Sequence, residues 1–268
     1  MIKYNSTMMR ILFVFLVAAT LNNAAIAQLS AEGKTVRVLA YNIHHGEGTD
    51  GKVDLPRLAN VIKAVKPDLV ALQEVDKKVK RTGYVDQLAE LAKLTGMKGT
   101  FGKQIPYDGG DYGQAILSKT DIGKETIHLL PGMPDREQRI AYEVRVTVHG
   151  ETISFVSTHL HHANAAFREE QATKLNEIFA KAEHPVILAG DLNANPDSKP
   201  LDILDKHWKR ATVDPKLWTF PAEKPTKQID YVLFRPGNMF KVIEAKVIDE
   251  AVASDHRPIL AVLEFLPK

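Results

Sequence analysis

The sequence predicts an α/β chain, with strands and helices interleaved along its length. Two observations carry this. Apolar runs of strand length alternate with segments whose apolar residues recur at helical spacing. The strands also end on Asn, Glu, His or Asp, the pattern of a buried sheet that delivers polar groups to one edge. No Pro/Ser-rich linker divides the chain after its first residues, so one large domain over residues 28–268 is expected.

Val36 to Tyr41 alternates as a strand and hands on Asn42. The glycine-rich Gly46 to Gly51 reads as a loop. Asp54 is then placed to cap a helix whose apolar face is Leu55, Leu58, Val61, Ile62 and Val65, and which stops before Pro67. Asp68 to Gln73 is a mostly apolar strand expected to end on Glu74. A second helix is expected from Val85 to Leu94, closed by Gly96. Ala115 to Ser118, Ile140 to Val148 and Thr152 to Ser157 read as strands, the last delivering His159. Between Asn164 and Ala182, Ala172, Leu175, Ile178 and Phe179 mark a helix packed on the sheet. Pro185 to Ala189 is a short buried strand with Asp191 and Asn193 at its exit. Ser198 to Lys227, with Pro200, Pro215, Pro221 and Pro225, is expected to be loops. Ile229 to Phe234 and Ile259 to Phe265 complete the strands, with Asp230 and Asp255-His256 at or before their starts.

Six short segments punctuate these elements: Tyr41-Asn42-Ile43, Leu72-Gln73-Glu74-Val75, Ser157-Thr158-His159-Leu160, Gly190-Asp191-Leu192-Asn193, Gln228-Ile229-Asp230-Tyr231 and Ser254-Asp255-His256-Arg257-Pro258. Any one alone would be weak, because Asp, Asn and Gly crowd ordinary turns. In this order and spacing they resemble the endonuclease/exonuclease/phosphatase superfamily, which includes DNase I, exonuclease III, neutral sphingomyelinases and inositol polyphosphate 5-phosphatases. The resemblance implies a four-layer sandwich of two packed mixed β-sheets flanked by helices, which periodicity alone does not give. It implies a metal-dependent phosphoesterase acting by direct attack of water.

A phosphodiester repels nucleophiles and needs its leaving alkoxide stabilised. Carboxylates, carboxamides and imidazoles without thiolate suit a hard cation, Mg²⁺ or Mn²⁺. By the resemblance Glu74 is the first metal ligand, Asn42 completes the site directly or through water, and Asp255 is the further carboxylate. Asp191 is expected to orient or deprotonate the attacking water, with Asn193 donating to a phosphoryl oxygen. His159 and His256 match the two catalytic histidines of the family, with Asp230 orienting His256. Histidine at position 159 departs from the exonuclease III branch and agrees with the DNase I, sphingomyelinase and 5-phosphatase branches. Arg136 and Arg139 are the phosphate-binding candidates, Arg139 preferred because it abuts a strand. His44, His45, His161 and His162 are read as lining the mouth; the alternative is an imidazole-rich zinc site with His161 on the face of His159. Tyr107, Tyr112, Trp208 and Trp218 either shape a pocket or pack.

Lys3 and Arg10, the apolar run Ile11 to Leu21 and Ala25-Ile26-Ala27 read as a signal peptide over residues 1–27, giving an exported protein, periplasmic or secreted. The alternative is an uncleaved anchor. The chain has no Cys, so neither a disulfide nor a lipidation site is available. Of 35 basic and 33 acidic residues, cleavage removes Lys3 and Arg10 and leaves 33 against 33. Neutrality argues mildly against a dedicated DNA nuclease, which is usually basic where it grips phosphates. The substrate classes left open are nucleic acid, phospholipid head group and small phosphodiester. No obligate protein partner is expected, and a non-catalytic binding module is the other class considered.

Overall fold

The computed structural model describes residues 34–132, 137–212, 214 and 216–267. The expected signal peptide and Arg136 lie outside the described residues. The described chain contains twelve strands and four α-helices: β1 Thr35–Asn42, α1 Leu55–Val65, β2 Leu69–Lys77, α2 Gln87–Thr95, β3 Lys98–Tyr107, β4 Gly110–Ser118, β5 Ile122–Leu129, β6 Ile140–Val148, β7 Glu151–His159, α3 Ala165–Ile178, β8 Val186–Asp191, α4 Lys199–Asp205, β9 Lys209–Arg210, β10 Asp230–Arg235, β11 Phe240–Val247 and β12 Ile259–Phe265.

The strands form two six-stranded sheets, ordered β11-β12-β1-β2-β4-β3 and β5-β6-β7-β8-β10-β9. Each is mixed. β1 and β2 are parallel neighbours joined through α1, and β7 and β8 are parallel neighbours joined through α3; the flanking pairings are antiparallel. The sheets face each other over a core that includes Val36, Val38 and Ala40 of one and Phe155, Ile187 and Val232 of the other. The alternate residues face outward. Leu39, Tyr41, Val70 and Leu72 pack under Leu58 and Ile62 of α1 and Leu91 of α2. Val156, Leu188 and Leu233 pack under Leu175 of α3 and Leu201 and Leu204 of α4. The result is the helix, sheet, sheet, helix sandwich, in which each fully buried Leu, Ile or Val contributes roughly 1.5–3 kcal/mol. Both crossover helices are capped, the first by the residue its sequence predicts: Asp54 accepts from Arg57 N at 2.9 Å, and Asn164 from Ala166 N at 2.9 Å.

Four expectations are corrected. The second strand does not end on Glu74 but continues to Lys77, crossing a bulge between Leu72 and Val75. Strands β3, β5 and β11 were not expected; β3, β5 and β11 are edge strands with largely charged or half-exposed residues, so no apolar run announces them. The helix after Asn164 closes at Ile178 rather than near Ala182. The stretch after Ser198 is not all loop. It holds α4, whose Pro200 stands in the first turn, where proline's missing N–H costs nothing.

Candidate active site

Strand parity brings the site together. Ala40, Ala189 and Val232 point into the space between the sheets, so two residues along in the same strands Asn42, Asp191 and Asp230 point there too. On β7, Phe155 likewise sets the side of Ser157 and His159. Each polar side chain therefore arrives at the end of the apolar layer. All four are buried: Asn42 at 0% exposure, Asp191 and Asp230 at 1% and His159 at 3%. Gly190 lets β8 come close enough to β7, since a Cβ there would stand 1.9 Å from the carbonyl oxygen of Thr158.

Glu74 is delivered differently. Its neighbour Gln73 holds the inward parity and donates to Ser157 Oγ of the other sheet at 3.0 Å. Regular alternation would turn Glu74 away, but the bulge and its left-handed φ of 58° bring it back. Asn42 bridges the two carboxylates of the site, its Nδ2 donating to Glu74 Oε1 at 2.9 Å and to Asp191 Oδ2 at 3.2 Å. Its Oδ1 accepts from His44 N at 3.0 Å.

Asp191 Oδ1 accepts from Asn193 N at 2.8 Å, and Oδ2 lies 3.3 Å from His159 Nε2 and 3.7 Å from His256 Nε2. Asp230 Oδ2 stands 2.9 Å from His256 Nδ1, the expected carboxylate–imidazole pair. Asn193 Nδ2 is 3.0 Å from His159 Nε2 and donates to Leu160 O at 3.1 Å. Both its amide hydrogens are thus directed at the chain itself, and the arrangement positions His159. Ser254 Oγ donates to Asn42 O at 2.8 Å and accepts from His256 N at 3.2 Å, tying the approach to β12 to the end of β1.

These contacts set the proton affinities. Burial, with Asp230 adding to it, pushes the Asp191 carboxyl up to about 7. Burial would lower His256, but Asp230 and Asp191 outweigh it and raise the imidazole to about 10. Burial, helped by the charge of Arg139, drives His159 well below the ordinary histidine range. One imidazole is held protonated and the other neutral around a single carboxylate.

A cavity of about 650 Å³ opens over this floor, lined by Glu74, Arg139, His159, Asp191, Asn193 and His256 among others. Arg139 is 2% exposed; its Nη2 reaches Glu137 Oε2 at 3.1 Å, while Nε and Nη1 are buried with no partner. Two unspent guanidinium donors on a cavity wall are arranged for an oxyanion. Arg168, Lys199 and Lys227 also line this cavity. Sequence reasoning gave no role to Arg168, Glu137 or Asn195; Arg168 lies in α3 and the other two on loops, so no strand end indexes them.

The structure does not bring every candidate inside. Asp255 is half-buried with Oδ1 3.4 Å from Ser254 Oγ, and it belongs to neither group of three close ligand-bearing side chains among the described residues. Those groups are Asp191, Asp230 and His256, and His44, His45 and Glu74, with ligand atoms mutually within 4.8 Å in each. His161 does not turn to His159. Its Nδ1 accepts from Ala163 N and Asn164 N, both at 3.1 Å, and only His162 of that pair lines the cavity. Tyr112 lines it too, whereas Trp208 is a core residue bonded to Asn176, and Trp218 is exposed.

The sequence profile of the Endonuclease/Exonuclease/phosphatase family matches residues 39–256. This chain belongs to that family. Members are hydrolases of phosphoester bonds and are typically dependent on a divalent metal; the hard carboxylate oxygens of Glu74 fit such an ion, whereas Asn42 turns its Nδ2 to Glu74 and its oxygen to His44 N, an arrangement suited to contact through water. Among solved structures, the family member from Beutenbergia cavernae is 25% identical, with 87% of this chain and 72% of that chain covered and a TM-score of 0.71. A mannosyl-6-phosphatase of Bacteroides thetaiotaomicron VPI-5482 is 21% identical over 86% of this chain and 100% of that one, with a TM-score of 0.69. The human Nocturnin catalytic domain with bound sulfate is 19% identical over 87% and 96%, with a TM-score of 0.66. The last two show the fold alone. Comparison with curated proteins finds no match.

Proposed function

We propose that this family member is an exported, divalent-metal-dependent phosphodiesterase that cleaves its substrate by direct attack of water, without a covalent enzyme intermediate. The observation that carries the reading is the cavity floor: a guanidinium with two unpartnered nitrogens, a carboxylate raised to about 7 and an imidazole raised to about 10 face one space.

Arg139 binds the non-bridging oxygens of the phosphoryl group. Asp191 takes a proton from the attacking water, which its raised affinity favours near neutral pH. His256, protonated and held by Asp230, donates to the phosphoryl group as charge builds. His159 stays neutral and, fixed by Asn193, shapes the oxygen-binding wall. Glu74 and Asn42 would hold Mg²⁺ or Mn²⁺, with Asp255 as a more distant carboxylate; when bound, the ion supplies positive charge for the phosphoryl oxygens and a more acidic water.

The balance of 33 basic and 33 acidic residues after cleavage argues mildly against duplex nucleic acid, and a cavity of about 650 Å³ equally fits a phosphomonoester such as a sugar phosphate, the second reading. Export rests on the signal-like residues 1–27, and exported protein should begin at Gln28. A mass matching residues 1–268 on exported protein would contradict that. No helix among the described residues is long and apolar enough to cross a membrane. The deciding assay sets purified protein against nucleic acids, phospholipids, sugar and inositol phosphates and a chromogenic phosphodiester. Hydrolysis silenced by EDTA and restored by Mg²⁺ or Mn²⁺ is expected; a protein inert on the whole panel, or active in EDTA, overturns the reading.

A further inference from the structure

The turn after β1 carries two imidazoles that the proposed chemistry leaves unused. In an extended strand consecutive side chains point to opposite faces. His44 and His45 instead occupy a 3-10 turn and are both left-handed, with φ of 45° and 43°, so their rings lie together with centroids 4.4 Å apart. Left-handed backbone at a residue other than Gly, Asn or Asp costs on the order of 1 kcal/mol or more each time. The fold holds the turn from both sides: Asn42 Oδ1 accepts from His44 N, and the buried Gln87 donates from Nε2 to His45 O at 2.6 Å. Glu74, also left-handed, completes a group of ligand atoms all within 4.8 Å of one another.

Glu47 already engages both rings, its carbonyl oxygen 3.2 Å from His44 Nδ1 and its Oε2 3.6 Å from His45 Nε2, but one ring nitrogen of His45 is left over. The His45 side chain is 12% exposed, and its Nδ1 is buried with no partner. Leaving such a nitrogen unsatisfied costs about 1–3 kcal/mol unless something accepts its lone pair or proton. An ion bound to nitrogen and carboxylate oxygen at about 2.0–2.2 Å would gather these three groups with a side-chain adjustment of about an ångström.

We propose that His44 and His45 join Glu74 as ligands of the metal, making a centre that prefers a divalent transition ion of the cobalt and zinc class to magnesium. This rests on the reading of Glu74 as the metal residue and changes what Glu74 binds. Two imidazoles and one carboxylate are a borderline donor set, which favours Co²⁺ and Zn²⁺ over Mg²⁺. The order of affinities follows from the donor atoms, whatever phosphoester is the substrate.

Full-length mature protein stripped with EDTA is titrated with Co²⁺ and, separately, Mg²⁺. Bound metal is read by equilibrium dialysis, and the Co²⁺ form by visible absorption and by paramagnetically shifted imidazole N–H resonances. Asn replaces each histidine because it tolerates left-handed backbone and brings no imidazole. Wild type is expected to bind Co²⁺ roughly a hundredfold more tightly than Mg²⁺ and to show shifted imidazole resonances. The double variant His44→Asn/His45→Asn should lose Co²⁺ affinity by at least about tenfold, with Mg²⁺ affinity within about threefold and those resonances gone. Unchanged Co²⁺ affinity in a folded double variant, or wild type without imidazole resonances, overturns the proposal. Should the double variant unfold, the wild-type resonances alone decide. Glu74→Gln separates the two readings: metal binding unaffected by it sinks both, whereas Mg²⁺ binding lost with Glu74 but no imidazole signature sinks only this one.

Discussion

The two parallel strand pairs, β1 with β2 and β7 with β8, have the same topology and prepare their side chains by different means. At the end of the first pair, Glu74 is half-buried and is aimed by a bulge and a left-handed backbone. At the end of the second, His159 and Asp191 follow regular strand alternation, and their environment does the work through nearly complete burial. The first pair keeps its carboxylate in reach of solvent, where an ion can exchange. The second shifts proton affinities in opposite directions on neighbouring groups. Asn42, bonded to both Glu74 and Asp191, is the joint between these halves.

The largest expected effect breaks the first half. Glu74→Gln removes the charge but preserves the bulge and an oxygen able to accept from Asn42, so turnover should fall by roughly three or more orders of magnitude with folding intact. Wild-type rates in this variant, measured at saturating Mg²⁺, would mean that Glu74 is not the metal residue.

The next effect tests the second half. His256→Ala and Asp191→Asn should each lower kcat by roughly two or more orders of magnitude, the usual loss for a positioned proton-transfer group. Asp230→Asn should do less, since it misorients His256 without deleting it. If Asp230 works through His256, the double variant His256→Ala/Asp230→Asn will be scarcely slower than His256→Ala alone. Multiplicative losses would separate the pair.

The contrast between the strand pairs also explains what could be read from the sequence. Asn42, His159, Asp191 and Asp230 were legible because each stands at or near the end of an apolar run of strand length, in the motif order that resembles the family, and the resemblance supplied their roles. The placement of Glu74 was not legible, because a bulge inserts a residue without a composition signal and reverses the face. The left-handed His44-His45 turn was also hidden: it is held by a side-chain bond to Asn42 and by Gln87, which is 42 residues on from His45 and so leaves no local signal. Asp255 was indicated by the family motif, and among the described residues it stands half-buried and outside both groups of close ligand atoms. Edge strands β3, β5 and β11 were missed because partly exposed strands need no continuous apolar run.

A smaller effect should appear in the pH profile. The carboxylate of Asp191 accepts a proton only when ionised, so kcat is expected to rise with pH through about 7. His256 donates only when protonated, so activity should fall as pH passes about 10. Asp230→Asn removes a carboxylate that raises the imidazole, and the alkaline limb should move to lower pH. An alkaline limb unmoved by this substitution would assign that limb to some other group.

The smallest effect is on stability, and it distinguishes the burial-tuned half by its sign. Burial holds the folded Asp191 carboxyl at about 7, above the ordinary carboxylate value of 3.8, so its ionised form costs stability. That cost is absent below about pH 4, grows as pH rises toward 7 and is constant above it. Asp191→Asn should therefore stabilise the metal-free protein at pH 8 by on the order of 1 kcal/mol, a Tm increase of roughly 2–4 °C for a domain of this size. The gain should vanish at pH 3.5, where the native carboxyl is already neutral. Part of the full Coulombic benefit is withheld, because Asp191 also faces protonated His256, and removing its charge weakens that attraction. Glu74→Gln, at a half-buried position, should show no comparable pH-dependent gain. If Asp191→Asn instead lowers Tm at pH 8 in the chelated protein, the buried carboxylate is stabilising as an ion, and the account of the second strand pair as tuned by burial fails.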